Sequence, residues 1–274
     1  MHQLGLERLK HYRLDWRFAA GDPAQYPPLT AALLANGVNL LLALGDQAAS
    51  AAHDATSTVP VVMAMVSDPV GLGLARSLAR PGGNLTGIAD QSNELDVKRL
   101  ELLRELRSAP SRLAVLYDPA YALDLASLSA LQSTAQLLGF TLLPVPMRRS
   151  TGLPEITLAL RRAKPAAMLV FDQPVNLASQ AQIIDIVQRL RIVTVYQSQR
   201  WVRMGGLLSY APSPHEQLQR AAAFVARIMR GARPADLPIE QPTKFKLVIN
   251  LKVARSMDLR IPQSMLARAD EVIE

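Results

Sequence analysis

The sequence predicts an α/β fold made of two lobes, each a doubly wound parallel sheet. Three observations lead there. Short apolar runs, β-branched in part, alternate with segments of helical period in both halves of the chain: 61–66 (VVMAMV), 112–117 (RLAVLY) and 166–171 (AAMLVF). The run at 61–66 is apolar at every position, as a strand covered on both faces is. The alternation stops at Ser108-Ala109-Pro110-Ser111 and then restarts, which marks a boundary.

Taken in order, residues 12–18 (YRLDWRF) alternate apolar and charged side chains and predict a half-exposed strand. Gly21-Asp22-Pro23 turns the chain into a helix that runs to about residue 35 and ends at Asn36-Gly37. A buried strand follows at 38–44, then Gly45-Asp46 and a small-residue helix over 47–55. The strand at 61–66 stops at Ser67-Asp68-Pro69. Asp68 suits an N-cap and Pro69 the first position of a helix over 70–78, which Pro81-Gly82-Gly83-Asn84 breaks before a strand at 85–88. A helix over 94–107 carries Leu95, Leu100, Leu103 and Leu106 on one face, supported by Glu94–Lys98 and Glu101–Arg104 pairs.

The second half predicts strands at 112–117, 140–145, 166–171 and 192–196, with helices at 122–138, 154–163 and 175–190 between them. Gly205-Gly206 marks a further crossing, and a strand follows at 207–210. Ser213-Pro214-His215-Glu216 is a capping box that opens a helix to Arg230, closed by Gly231 and Pro234. The tail adds a strand at 245–249, a helix begun by Asn250 and a last segment holding Pro262.

A chain of 274 residues that is 49% apolar buries a large core and has room for two modest domains. It has no cysteine, which excludes disulfides, a thiolate nucleophile and cysteine-based metal sites. The net charge of +7 invites a nucleic-acid reading. The basic residues are dispersed, however (Arg76, Arg80, Arg148-Arg149, Arg161-Arg162, 227–233, Lys244 and Lys246), and no basic run is interleaved with aromatics; no nucleic-acid partner is expected. No apolar run reaches the ~18 residues of a membrane span.

One feature repeats. Four strands end in an aspartate beside a helix start: Gly45-Asp46, Ser67-Asp68, Asp118-Pro119 after Tyr117, and Asp172-Gln173-Pro174. In parallel α/β sheets ligands meet the chain at that carboxyl edge. Helix N-termini suit a ligand carboxylate and an uncommitted aspartate suits an ammonium, so a zwitterion fits. Plain capping accounts for each aspartate equally well. Enzyme signatures are weak. Gly71-Leu72-Gly73 lacks the third glycine of a dinucleotide fingerprint, because Arg76 sits there, and no P-loop or Gly-x-Ser-x-Gly elbow occurs. His2, His11, His53 and His215 show no metal-ligand spacing, and no cofactor is expected.

VVMAMVSDPVGLGLARSLARPGGNLTGIA, ELDVKRLELLRELRSAPSRLAVLYDPA, GGLLSYAPS and the tail from ADLPIEQPTKFKLVINLKVARSMDLRIP onward resemble one family over nearly the whole chain. It is the family of ABC-transporter substrate-binding proteins assigned to tryptophan and tyrosine transport. The resemblance implies a type I periplasmic-binding-protein fold, two parallel-sheet lobes joined by a hinge with three crossings. It also implies capture of an amino acid or related aromatic by hinge closure, delivery to a membrane permease, a periplasmic location, no catalysis and a monomer. Carried over by position, the ligand-binding residues are Gly45, Asp46, Gln47, Ser67, Asp68, Pro69, Val70, Tyr117, Asp118, Tyr121, Asp172, Gln173, Tyr196, Ser209 and Tyr210. Tyr121, Tyr196 and Tyr210 suit stacking on a flat ligand, or packing at the lobe edge.

The sequence departs from the family in three places. Gly45-Asp46-Gln47 stands where Gly-Thr-Pro is usual, which puts a charge in place of a hydroxyl. Ala211 stands where glycine is usual. Family members begin with a signal peptide, a strand and a helix ahead of the segment matching YRLDWRFAAGDP, and the sequence opening MHQLGLERLK lacks them; taken literally, it stays in the cytoplasm. With this likeness the lobes are expected at 1–109 with 206–235, and at 110–205 with 236–274. Two alternatives stay open at this point: a cytoplasmic ligand-sensing module of the same fold, and an α/β enzyme using the aspartates for acid/base work.

Overall fold

In the computed structural model, which describes residues 1, 4–90, 92–107, 111–148 and 152–274 (the side chains of 92–94 excepted), the chain divides into two units. One comprises Met1–Gln91 and Pro212–Lys244, the other Ser92–Ala211 and Phe245–Glu274, so the chain passes between them three times.

In the first unit Asp22 accepts from the Ala24 amide and starts a 3-10 turn, Pro23–Gln25, that leads into α1 (Tyr26–Ala35). Then come β1 (Leu41–Leu44), α2 (Asp46–Ala55), β2 (Val61–Val66) and β3 (Leu85–Ala89). The strands form a parallel sheet in the order β1-β2-β3. The continuous apolar run of β2 follows from cover on both faces. Val61 and Met63 pack with Ala49 and Ala52 of α2, whereas Val62 and Ala64 pack with Ala221 and Phe224. Gly87 has φ +140, and a Cβ there would lie 2.1 Å from the Met63 carbonyl oxygen, so only glycine fits this pairing. Beside it the register shifts between Met63 and Val66, where Met65 turns to φ 58 and its amide donates to Gln217 Oε1 at 3.1 Å. This irregularity re-aims the last residues of β2.

The second unit contains, in chain order, α3 (Ser92–Leu106), β4 (Ser111–Tyr117), α4 (Ala122–Leu137), β5 (Phe140–Pro146), α5 (Gly152–Ala163), β6 (Ala167–Val170), α6 (Pro174–Ala178), α7 (Gln180–Arg189), β7 (Val193–Tyr196), α8 (Gln199–Arg203) and β8 (Leu208–Pro212). The chain then returns to the first unit for α9 (Pro214–Met229), capped by the Ser213 hydroxyl accepting from the Glu216 amide, and comes back as β9 (Phe245–Asn250), α10 (Leu251–Ser256), α11 (Gln263–Leu266) and β10 (Glu271–Ile273). The seven strands run in the order β10-β9-β8-β7-β6-β4-β5. One face buries Leu113, Val115 and Leu169 with Leu100, Leu103 and Leu131 of α3 and α4. The other buries Ala114, Leu116 and Met168 with Ile156, Leu160 and Ile183 of α5 and α7. The sheet is wound on both sides, as expected.

Several expectations are corrected. Residues 13–18 form no strand; Tyr12 bridges only Arg8, and Trp16 and Phe18 stack on each other in the open. Alternation alone does not make a strand, and no strand lies beside this segment among the described residues. The helix expected at 70–78 is a set of turns. Gly73 adopts φ +74, and the Leu74 and Ala75 amides close back on the Pro69 carbonyl, ending the first turn before a second forms. The helix expected at 175–190 breaks at Ser179 into α6 and α7. Gly205-Gly206 is not a crossing: Gly205 (φ +106) closes α8, and a Cβ on Gly206 would meet Tyr196 at 2.6 Å.

The units also divide differently from the expected lobes. α3 belongs with the second because its leucines complete that core, and Ser209 stays there through the pairing of β7 with β8. Residues 236–244 belong with the first: Leu237 packs on Val62, and Glu240 exchanges backbone hydrogen bonds with Gly87 and Ala89 on the outer edge of β3. The boundary candidate Ser108-Ala109-Pro110, Arg149, His2 and the Glu94 side chain lie outside the description. Lys98 pairs with Glu101 at 2.6 Å, on the exposed side of α3.

Candidate functional site

In each unit the predicted residues gather at the carboxyl edge of the sheet, because a parallel strand that enters a helix must turn there. In the first unit Gly45, at φ +89, turns β1 into α2 and puts Asp46 at the helix start. The Asp46 carboxylate then accepts twice from the next turn, from the Ser67 amide at 2.7 Å and the Ser67 hydroxyl at 2.6 Å. The charge that replaces a hydroxyl in this sequence therefore ties β1 to β2. Gln47 lies beside it with its Oε1 buried. Asp68 Oδ1 accepts from the Gly71 amide at 2.8 Å and the Val70 amide at 3.2 Å; a Cβ on Gly71 would meet Asp68 Oδ2 at 2.3 Å. Pro69 is buried beneath this turn and Val70 is exposed.

In the second unit the turns after β4 and β6, the last residues of β4 and β7, and β8 itself carry the remaining candidates. Tyr117 packs against the core, and Asp118 Oδ1 accepts from the Ala120 amide at 2.9 Å. Tyr121 is the N-cap residue of α4 and accepts from Asp124 through its carbonyl. Gln173 donates through Nε2 to Asp124 Oδ1 at 2.8 Å. Asp172 is turned inward: its carboxylate takes the Trp201 indole N–H, and its amide donates to Gln197 Oε1 at 2.9 Å. Burial pushes the Asp172 carboxyl upward, against the pull of the Trp201 donor and the Arg99 and Arg200 charges.

Tyr196 is corrected as an open stacking surface. It is fully buried, stacked on Trp201 with ring centroids 4.9 Å apart, and burial raises its hydroxyl well above the usual tyrosine value. Ser209 is fully buried, its hydroxyl without a protein partner among the described residues. Tyr210 is half-buried, tilted against Phe245 at 5.9 Å.

The sequence reading missed the groups that hold these turns. Asp96 and Arg99 form a fully buried ion pair at 2.5 Å. Arg99 also donates to the Tyr210 carbonyl at 2.9 Å, and Gln197 Nε2 donates to both Asp96 oxygens at 3.0 Å. The pair thus ties α3 to β8 and to the turn after β7. Burial raises the Asp96 carboxyl, with Arg99 and Gln197 opposing. The signal for it was present: Asp96 and Arg99 are charged residues three apart, inside the leucine stripe of α3. Asp124 is likewise buried, and burial pushes its carboxyl up to about 7 against the Asp118 amide and Gln173.

The four repeated aspartates therefore separate into two kinds. Asp46 and Asp172 are spent on internal bonds. Asp68 and Asp118 each use one oxygen as a turn cap and leave Oδ2 without a hydrogen bond among the described residues. In the first unit a surface hollow of about 680 Å³ lined by Arg76, Ser77, Arg80, Gly82 and Asp236 lies beside the loop into β3, and none of the predicted site residues lines it. Among the described residues no three His, Asp or Glu side chains come close enough to hold a metal.

Comparison with known proteins places the fold and the family. A tyrosine-binding protein of Clostridioides difficile is 22% identical over 250 residues, spanning 90% of this chain and 71% of that protein. A crystal structure of a conserved domain protein from Vibrio cholerae superposes with a TM-score of 0.90 at 24% identity, covering 99% of this chain and 90% of that one. An ABC domain from Streptococcus pneumoniae, solved in complex with L-Trp, superposes with a TM-score of 0.81 at 26% identity, covering 92% and 85%. The shared fold is that of the type I periplasmic binding proteins. Residues 1–273 match the family of ABC transporter substrate binding proteins, and the chain belongs to that family.

Proposed function

We propose that this substrate-binding protein captures a small zwitterionic amino acid, aromatic ones first, for an ABC importer. The observation that carries the reading is the split among the carboxyl-edge aspartates. Asp68 and Asp118 keep an oxygen available for a ligand ammonium, while Asp46 and Asp172 are consumed in holding the turns. Backbone N–H groups at the starts of α2 and α4 suit the ligand carboxylate, and Tyr121 and Tyr210 suit an aromatic side chain. The tyrosine-binding relative and the L-Trp-bound neighbour support the same ligand class.

The arrangement supports binding over chemistry. The inward carboxylates are tied to donors within the fold, and Asp46, which takes the Ser67 hydroxyl, is held by the Ser67 amide as well, as a turn-fixing group is. On this reading the protein works as a monomer outside the cytoplasm, and its partner is the membrane permease of the importer.

A thermal-shift screen of the proteinogenic L-amino acids and aromatic carboxylates at millimolar concentration tests the proposal. A ligand at a hundred times its Kd stabilises the folded state by about 2.7 kcal/mol. L-tryptophan or L-tyrosine is expected to raise Tm, with the ligand recovered unchanged by mass spectrometry. No shift from any amino acid refutes the ligand class, and consumption of the ligand refutes a pure binding role. Cell fractionation tests the location, and sedimentation the monomer.

A further inference from the structure

We propose that Asp124 is a positioning residue for ligand binding: its carboxylate ties the turn after β4 to the turn after β6 and so sets the spacing of the ligand-contacting groups in the second unit. This rests on the ligand-binding reading above.

Asp124 is 3% exposed and lies in the first turn of α4. A carboxylate there ordinarily caps its own helix. This one bonds outside its helix instead. Its Oδ2 accepts from the Asp118 amide at 2.8 Å, six residues back, and its Oδ1 accepts from Gln173 Nε2 at 2.8 Å, 49 residues on. The two donors sit on the turns that leave β4 and β6, which are neighbours in the sheet with Leu116 opposite Val170. One buried side chain thus bridges Asp118 and Gln173, both candidates for ligand contact. An apolar residue would fill the place without the cost of burying a charge, so the carboxylate is retained for these two bonds.

The bridge also depends on protonation. Asp118 on the facing turn and Asp96 on α3 add like charge to burial in raising the Asp124 carboxyl, which titrates at about 7. Both of its partners are donors. Protonation adds a third donor to the cluster and weakens an acceptor, which loosens the tie. A ligand that needs the tie therefore binds better with Asp124 ionised, and by linkage its binding releases protons near neutral pH.

The test uses L-tryptophan and L-tyrosine as probes with wild type, Asp124→Leu and Asp124→Asn. Calorimetry is run from about pH 5.5 to about pH 8.5 in buffers of different ionisation enthalpy. In wild type, affinity is expected to rise severalfold across this range, with proton release on binding. Asp124→Leu removes both bonds and should weaken binding about tenfold or more at every pH. Asp124→Asn can accept from the Asp118 amide and donate to a flipped Gln173. It should restore most of that affinity, with a flat pH profile and no linked proton.

Two readouts need no ligand. The Asp118 amide resonance should titrate near neutrality in wild type but not in Asp124→Asn. In Asp124→Leu, amide exchange should quicken at 117–121 and 172–174 while the sheet stays protected. Wild-type affinity and exchange retained in Asp124→Leu would overturn the inference. If wild type binds neither probe, the preference for aromatic amino acids falls, and the Asp118 titration and the exchange pattern still decide for or against the tie.

Discussion

Replacing Arg99 by methionine takes a guanidinium out of a site where it and Asp96 are both 0% exposed. Methionine fills the space of the aliphatic stem, so the loss falls on charge and hydrogen bonds more than on volume. Asp96, at 2.5 Å, and the Tyr210 carbonyl, at 2.9 Å, each lose a donor. Breaking a buried ion pair from one side costs about 3–5 kcal/mol, and a stranded carbonyl adds about 1 kcal/mol. A loss of about 4–6 kcal/mol is expected at neutral pH.

The pH dependence has a definite sign. Burial already holds the Asp96 carboxyl above its ordinary value, and without Arg99 it rises further. A carboxyl raised in the folded state stabilises the fold below its unfolded value and loses that contribution as pH rises through the folded value. The deficit of Arg99→Met should therefore be largest above neutrality and shrink towards acid. Urea unfolding followed by fluorescence reads it, because Trp201 is buried against Tyr196 in the same unit. Asp96→Asn combined with Arg99→Met removes the stranded charge and should recover a large part of the loss. A deficit under about 1 kcal/mol, as for an exposed pair, refutes the reasoning. So does a double variant no more stable than the single one.

Two further outcomes follow from the first unit. Asp46→Ala deprives the Ser67 amide and hydroxyl of their acceptor and should cost about 1.5–3 kcal/mol, read as a Tm several degrees lower; an unchanged Tm would mean that the β1–β2 tie carries no stability. Gly87→Ala sets a methyl 2.1 Å from the Met63 carbonyl oxygen at φ +140 and should cost about 3 kcal/mol or more, or prevent soluble expression; wild-type urea unfolding would show that β2 and β3 can move apart freely.

What was legible in the sequence was what local chemistry decides alone. The all-apolar runs of β2 and β6 and the apolar stretch of β4 announced strands covered on two faces, and the Ser213 box announced α9. The errors arose where a neighbour decides. Residues 13–18 have the period of a strand but, among the described residues, no strand beside them. The turns over 70–78 have caps at both ends, yet Gly73 takes a left-handed conformation that no pattern of apolar residues reveals. Boundaries between the units failed for the same reason. α3 and residues 236–244 are assigned by the core they complete, and that core is assembled from distant segments.

The same reasoning explains why the repeated aspartates could be located but not sorted. An aspartate ahead of a helix reads alike whether its carboxylate caps that helix, crosses to the next turn or waits for a guest. The partner settles it, and the partners of Asp46 and Asp172 are 21 and 29 residues away. Asp46 shows the consequence. Judged by type, a charge in place of a hydroxyl alters ligand preference; judged by its bonds to Ser67, it rigidifies the turn that carries Asp68. A turn fixed in advance loses less conformational freedom on binding, which raises affinity without adding a contact. On the proposed reading, selectivity is divided between a few half-buried groups that meet the ligand and several others that fix where those groups stand. Asp46, Asp96, Arg99, Asp124 and Trp201 belong to the second set, and substitutions there should change affinity for all ligands together, whereas changes at Asp68, Asp118 or Tyr210 should reorder them.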